Sequence, residues 1–145
     1  MSETEVLNIV KDLIECLSFL ERKEIVHGGI CPSNILLNGE SIVLSGFGSC
    51  SLKNINNWTE KPKTIYDCPE FNENREMSYK SDIWSLGITA VELITGENPF
   101  INKKYGEVLQ SIENLQLFSP LETSLDFKLM LQKMLRISPS QRFSP

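Results

Sequence analysis

The run from Ser78 to Thr95 constrains this chain more than any other. Ile83, Trp84, Leu86, Ile88, Ala90, Val91, Leu93 and Ile94 cover nearly the whole circumference of a helix. A helix apolar on all sides has no face to offer water, so it must lie at the centre with the rest of the chain around it. Gly96 terminates the pattern and Pro99 follows. Ser2 to about Arg22 supply an amphipathic helix. Ser2 and Glu5 form a capping box, and Val6, Ile9, Val10, Leu13, Leu17 and Leu20 recur at helical spacing. Shorter helices are predicted from Lys104 to Asn114 and from Ser124 to Leu135. The β-prone runs are brief, at Ile25-Val26, Ile35-Leu37 and Ile42-Leu44, and Asn38-Gly39-Glu40-Ser41 reads as a hairpin turn between the last two. Ser49 to Glu76 is polar and irregular, a long loop of the sort that carries function. The expected fold class is mainly α with a few short β-strands.

A chain of 145 residues is long enough for one domain with a real core and too short for two. A formal charge of −5 and a pI near 4.9 argue against nucleic acid and anionic membrane as partners. The opening Met-Ser-Glu-Thr-Glu has no basic or apolar leader, so no secretory signal is expected. Glu92 interrupts the longest apolar run, which leaves no predicted transmembrane segment. Cys16, Cys31, Cys50 and Cys68 form no C-x-x-C pair, and His27 is the one histidine. Neither a zinc site nor a disulfide framework is expected; reduced thiols in a cytoplasmic or nuclear protein are.

Chemistry-bearing residues cluster in short motifs. His27 to Asn34 reads H-G-G-I-C-P-S-N, and Ser45 to Gly48 reads S-G-F-G. Cys68-Pro69-Glu70, Ser81-Asp82-Ile83-Trp84-Ser85-Leu86-Gly87 and Pro139-Ser140-Gln141-Arg142 follow in order. Together these resemble the H-R-D-x-K-P-S-N catalytic loop, the D-F-G metal loop, A-P-E or S-P-E, S-D-x-W-S-x-G and D-P-x-x-R of the eukaryotic protein kinase superfamily. Ordered, correctly spaced motifs are far more specific than a lone glycine pattern. The resemblance covers essentially the whole chain and implies a protein kinase-like C-terminal lobe, with the N-terminal lobe absent. On that likeness residues 1–145 form one lobe, with a degenerate catalytic loop at 27–34 and a degenerate metal loop at 45–48. The activation segment runs over 46–70 and the central helix over about 78–95. The wording of Pro32 to Asn38 and of Glu92 to Gly96 resembles the MAP kinase kinase and related Ste-type serine/threonine branch.

Against the family pattern every charged catalytic residue is missing. Gly28 stands at the Arg position, Gly29 at the catalytic Asp, Cys31 at the Lys and Gly46 at the magnesium-holding Asp. Phosphoryl transfer by this fold depends on positioning and charge stabilisation, so those losses remove its means. Glycine accepts no proton, and a general base is worth about 10²–10⁴ in rate. Asn34 is left as a relic metal ligand, and one neutral amide does not hold magnesium against its hydration. No catalytic residue, cofactor or metal is therefore expected.

The residues that match are those of the scaffold. The resemblance implies that Asp82 anchors the catalytic loop through backbone hydrogen bonds, that His27 and Phe47 stack in a hydrophobic spine, and that Glu70 pairs with Arg142. Thr59, Thr64, Ser49 and Ser51 are candidate phosphorylation sites, but the loop Arg that would grip a phosphate is Gly28. Cys31 reads as a small loop residue rather than a nucleophile.

Three functions fit this pattern. The leading one is an inactive kinase homologue, a pseudokinase acting as a protein-binding or regulatory module in signalling, with a kinase or kinase substrate as partner. Its upper surface around Ile35, Leu36 and Phe47 is then expected to be apolar and partly exposed. An atypical serine/threonine kinase using Mg-ATP would need a partner chain to supply base, metal ligands and nucleotide lobe; Asp67 and Glu40 are the nearby acidic candidates. A non-functional remnant is the third.

Overall fold

The computed structural model describes residues 1–39, 41–52, 58 and 61–145. Its axis is helix α3 (Tyr79–Thr95), and every residue from Ser81 to Val91 is buried. Ser78 starts it with a reciprocal cap through Ser81, and Gly96 closes it. Helix α1 (Glu3–Arg22) packs along α3 through Val6, Ile9, Val10, Leu13, Leu17 and Leu20, all buried. The box between Ser2 and Glu5 fixes where α1 begins, because each satisfies a backbone N–H of the other. Helix α5 (Leu125–Met134) also packs on α3, burying Phe127, Leu131 and Met134, while α4 (Tyr105–Glu113) buries Val108 and Ile112. A fully buried side chain of this size contributes about 1.5–3 kcal/mol, so these helix faces supply most of the cohesion.

The short strands position the loops. Strands β2 (Ile35–Asn38) and β3 (Ser41–Leu44) pair antiparallel, with Ile35 opposite Leu44, Leu36 opposite Val43 and Leu37 opposite Ile42. This pairing is the hairpin read from the sequence; Glu40 at its turn lies outside the described residues. Strand β1 (Ile25–Val26) pairs with β4 (Ser51–Leu52), so the chain that leaves the loop at 45–48 is tied back to the chain that enters the loop at 27–34. Two-residue bridges leave no periodicity in a sequence, and β4 was not anticipated. Pro69–Asn74 form a short helix, α2, inside what reads as irregular loop; Pro69 at its first turn and buried Phe71 set it in place.

Candidate functional site

The loop from His27 to Asn34 is held from below by α3. Asp82, buried on the first turn of that helix, accepts hydrogen bonds from the backbone N–H of His27 at 2.9 Å and of Gly28 at 2.8 Å. Burial pushes its carboxyl up to about 7, against the opposing pull of those two N–H groups and of the Lys61 charge. His27 is buried too: its Nε2 donates to the Ser45 carbonyl at 3.0 Å, and its Nδ1 accepts from Gly29 N–H at 3.2 Å. One nitrogen donating and the other accepting fixes the neutral tautomer. Burial correspondingly lowers its pKa, with the Ser45 bond opposing. Phe47 meets the His27 ring edge-on, centroids 4.8 Å apart, so the loops at 27–34 and 45–48 touch through these rings.

A second tie lies beneath α2. Arg142 Nη1 and Nη2 donate to Glu70 Oε1 and Oε2 at 2.7 and 2.8 Å, and the remaining donors reach the carbonyls of Lys80, Ile137 and Arg136. Every guanidinium N–H is thus used, and the side chain is fully buried with its carbon 5.0 Å above the Trp84 ring. For Glu70, burial raises the pKa, but the hydrogen bond and charge of Arg142 outweigh it and the net shift is downward.

The cleft face contrasts with this support. A cavity of about 290 Å³ opens there, lined among others by Gly28, Gly29, Cys31, Asn34, Lys61 and Asp67. Asn34 Nδ2 donates to the Gly29 carbonyl at 2.7 Å, which makes the amide a loop brace. Cys31 Sγ lies 3.1 Å from Ser33 Oγ. Gly46 carries no carboxylate, and a Cβ there would overlap the Asn34 amide. The donors at these positions do not fit magnesium: a committed amide and two glycines offer no anionic oxygen. Among the described residues, no group of three or more His, Cys, Asp and Glu could hold a metal ion.

Sequence reasoning missed Lys61 and Trp58. Lys61 is buried, pairs with Asp67 at 2.6 Å and stands 4.5 Å over the Phe71 ring. Asp67, named above as a substitute acid, also accepts from Thr64 N–H and is therefore an ion-pair partner with both oxygens engaged. Glu40, the other acidic candidate, and Thr59 lie outside the described residues. Trp58 is buried over Gly28. Polar flanks concealed both, and no spacing signal would have found them. Cys16, Cys31, Cys50 and Cys68 are all free thiols. No helix among the described residues is long and apolar enough to cross a membrane.

A sequence profile described as the protein kinase domain matches residues 1–145. The chain is 34% identical to serine/threonine-protein kinase shk1/pak1 of Schizosaccharomyces pombe, covering 98% of this chain and 23% of that protein. It is 32% identical to serine/threonine-protein kinase SKM1 of Saccharomyces cerevisiae, over 99% of this chain and 23% of that one. With serine/threonine-protein kinase STE20 of Yarrowia lipolytica it shares 33% identity, over 99% and 13%. The chain thus spans less than a quarter of the length of these curated relatives.

Proposed function

The chain belongs to the protein kinase family, within reach of its Ste20-type serine/threonine members, and on that premise we propose that it is an inactive homologue working as a protein-binding or regulatory module. One observation carries the reading: the cleft face has glycine at positions 28, 29 and 46, while the buried contacts beneath it are intact. No carboxylate faces the cleft from the motif positions, and Asp67, which lines the cavity, is paired with Lys61. Mg-ATP has no anionic ligand at these positions, so no cofactor belongs to this reading. The domain assignment goes with it: one degenerate C-lobe, catalytic loop at 27–34, metal loop at 45–48, activation segment at 46–70.

The partner is a protein, a kinase or a kinase substrate, that covers the apolar upper surface. Leu36 and Val43, opposite each other across the hairpin, and Phe47 are 43–50% exposed there.

The relatives' names favour a second reading, in which this chain transfers phosphate with groups borrowed from a partner. Calorimetry of the purified chain with ATP, first with magnesium and then with chelator, separates the two. The module reading expects no heat and no thermal stabilisation in either condition. Micromolar, magnesium-dependent binding would overturn it.

A further inference from the structure

The vacated positions are not alike. Gly28 has φ +68°, and a Cβ built on it would meet Trp58 Cζ3 at 2.7 Å, Trp58 Cη2 at 2.9 Å and the Ser49 carbonyl at 2.9 Å. Gly46 has φ +82°, and its Cβ would overlap the side-chain amide of Asn34, which the bond to Gly29 O holds in place. Gly29 differs on both counts: its φ is not positive, and a Cβ there would have its nearest neighbours at 3.6–3.7 Å, ordinary van der Waals contact. Two of the three vacated spaces have therefore been refilled by neighbours and one has not.

We propose that the spaces beside positions 28 and 46 are plugged from within: Trp58 of the activation segment packs on the first and Asn34 of the catalytic loop on the second, contacts that make those two glycines requirements of the fold. The proposal rests on the family reading of positions 28 and 46 as vacated. It also accounts for how Trp58 stays against the loop at 27–34 with no arginine at 28 to grip a phosphate. The Trp58 indole lies on the Gly28 backbone, the buried Lys61–Asp67 pair closes the next turn, and Arg75 Nη1 donates to the Lys61 carbonyl at 2.7 Å. Packing by Trp58 and the Lys61–Asp67 pair thus stands in for a phosphate contact. The plug works through described contacts on two different elements, which allows each half to be tested without the other.

The test is a pair of double-mutant cycles read as thermal midpoints of the full chain. Gly28→Ala and Gly46→Ala are each expected to lower Tm by about 6–10 °C, and Gly29→Ala by less than about 2 °C. Trp58→Phe withdraws the outer indole carbons while keeping an apolar ring, and Asn34→Ala withdraws the amide. In those backgrounds Gly28→Ala and Gly46→Ala respectively should cost several degrees less, retaining only the strain of a positive φ and, at 28, the Ser49 carbonyl contact. Additive cycles, or a Gly29→Ala as costly as the other two, overturn the plug. Should Gly28→Ala fail to fold alone, its recovery in the Trp58→Phe background supports the plug and continued failure there counts against it. ATP calorimetry is read separately: additive cycles without nucleotide binding remove the plug and leave the module reading, whereas coupled cycles with magnesium-dependent binding do the reverse.

Discussion

The underside of the loop at 27–34 and its cleft face are a few ångströms apart and follow opposite rules. Below, charged and polar groups are buried and fully engaged: Asp82 on two backbone N–H groups, Arg142 on Glu70 and three carbonyls. Above, three glycines and a braced amide face the cleft. The difference teaches which part of such a site the fold depends on. A buried charge stripped of its partner costs several kcal/mol, so the underside is not free to change. A charge facing a solvent-filled cleft supports no packing, and its removal costs the fold little. Chemistry can therefore be emptied out of the upper face while the loop below keeps its shape.

The sharpest break in that comparison is Arg142→Leu. It leaves part-buried Glu70 without its cation, holding only the Ser81 hydroxyl, and takes the Arg142 donor from three carbonyls, and a loss of about 3–5 kcal/mol is expected from urea denaturation. A loss under about 1 kcal/mol would mean that the underside is not what supports the loop. The Glu70 carboxyl, lowered overall, adds a pH signature: its contribution is present above pH about 4.5 and falls away as acid titrates the folded form.

Asp82 has the opposite sign. Its pKa rises from 3.8 to about 7 on folding, so its contribution is complete below pH 3.8 and is lost as pH climbs through about 7. Asp82→Asn removes that titration and turns an amide N–H₂ towards a backbone donor, a cost of about 1–3 kcal/mol. Denaturation midpoints at pH 5 and pH 8 check this: the penalty should be larger at pH 5. An equal penalty at both would show that Asp82 does not titrate in this window and that the burial argument is wrong.

Legibility followed the physics of each element. Helices α1 and α3 declared themselves because a long apolar stripe, or an apolar circumference, repeats often enough to be read. The β2–β3 pairing was visible through its turn residues, whereas β4, two residues long, carries no pattern, and α2 is too short for one. At the site, motif positions located His27, Asp82, Glu70 and Arg142, and named Gly28, Gly29 and Gly46 as losses. What packs beside those glycines was not legible. Trp58 and Lys61 lie in a polar stretch whose composition says loop, and their burial is decided by tertiary neighbours. Asp67 shows the same limit, since its proximity to the cleft was readable and its engagement by Lys61 was not.

The smallest expected effect probes the upper face. Leu36 and Val43 are paired across the hairpin and are 50% and 46% exposed. Neither anchors the core, so Leu36→Ser combined with Val43→Ser should shift stability by only about 0.5–1 kcal/mol, as exposed substitutions do. Binding of an apolar dye should fall clearly, because the double substitution removes two of the three exposed large side chains in this patch. Should stability instead drop by as much as in Arg142→Leu, the hairpin face would have to be reckoned part of the core. The contrast between a supporting underside and a dispensable upper face would then fail at its upper edge. A fall in dye binding with stability kept leaves the patch as surface whose apolar character does nothing for the isolated chain, and that is the property expected of a face used for contact.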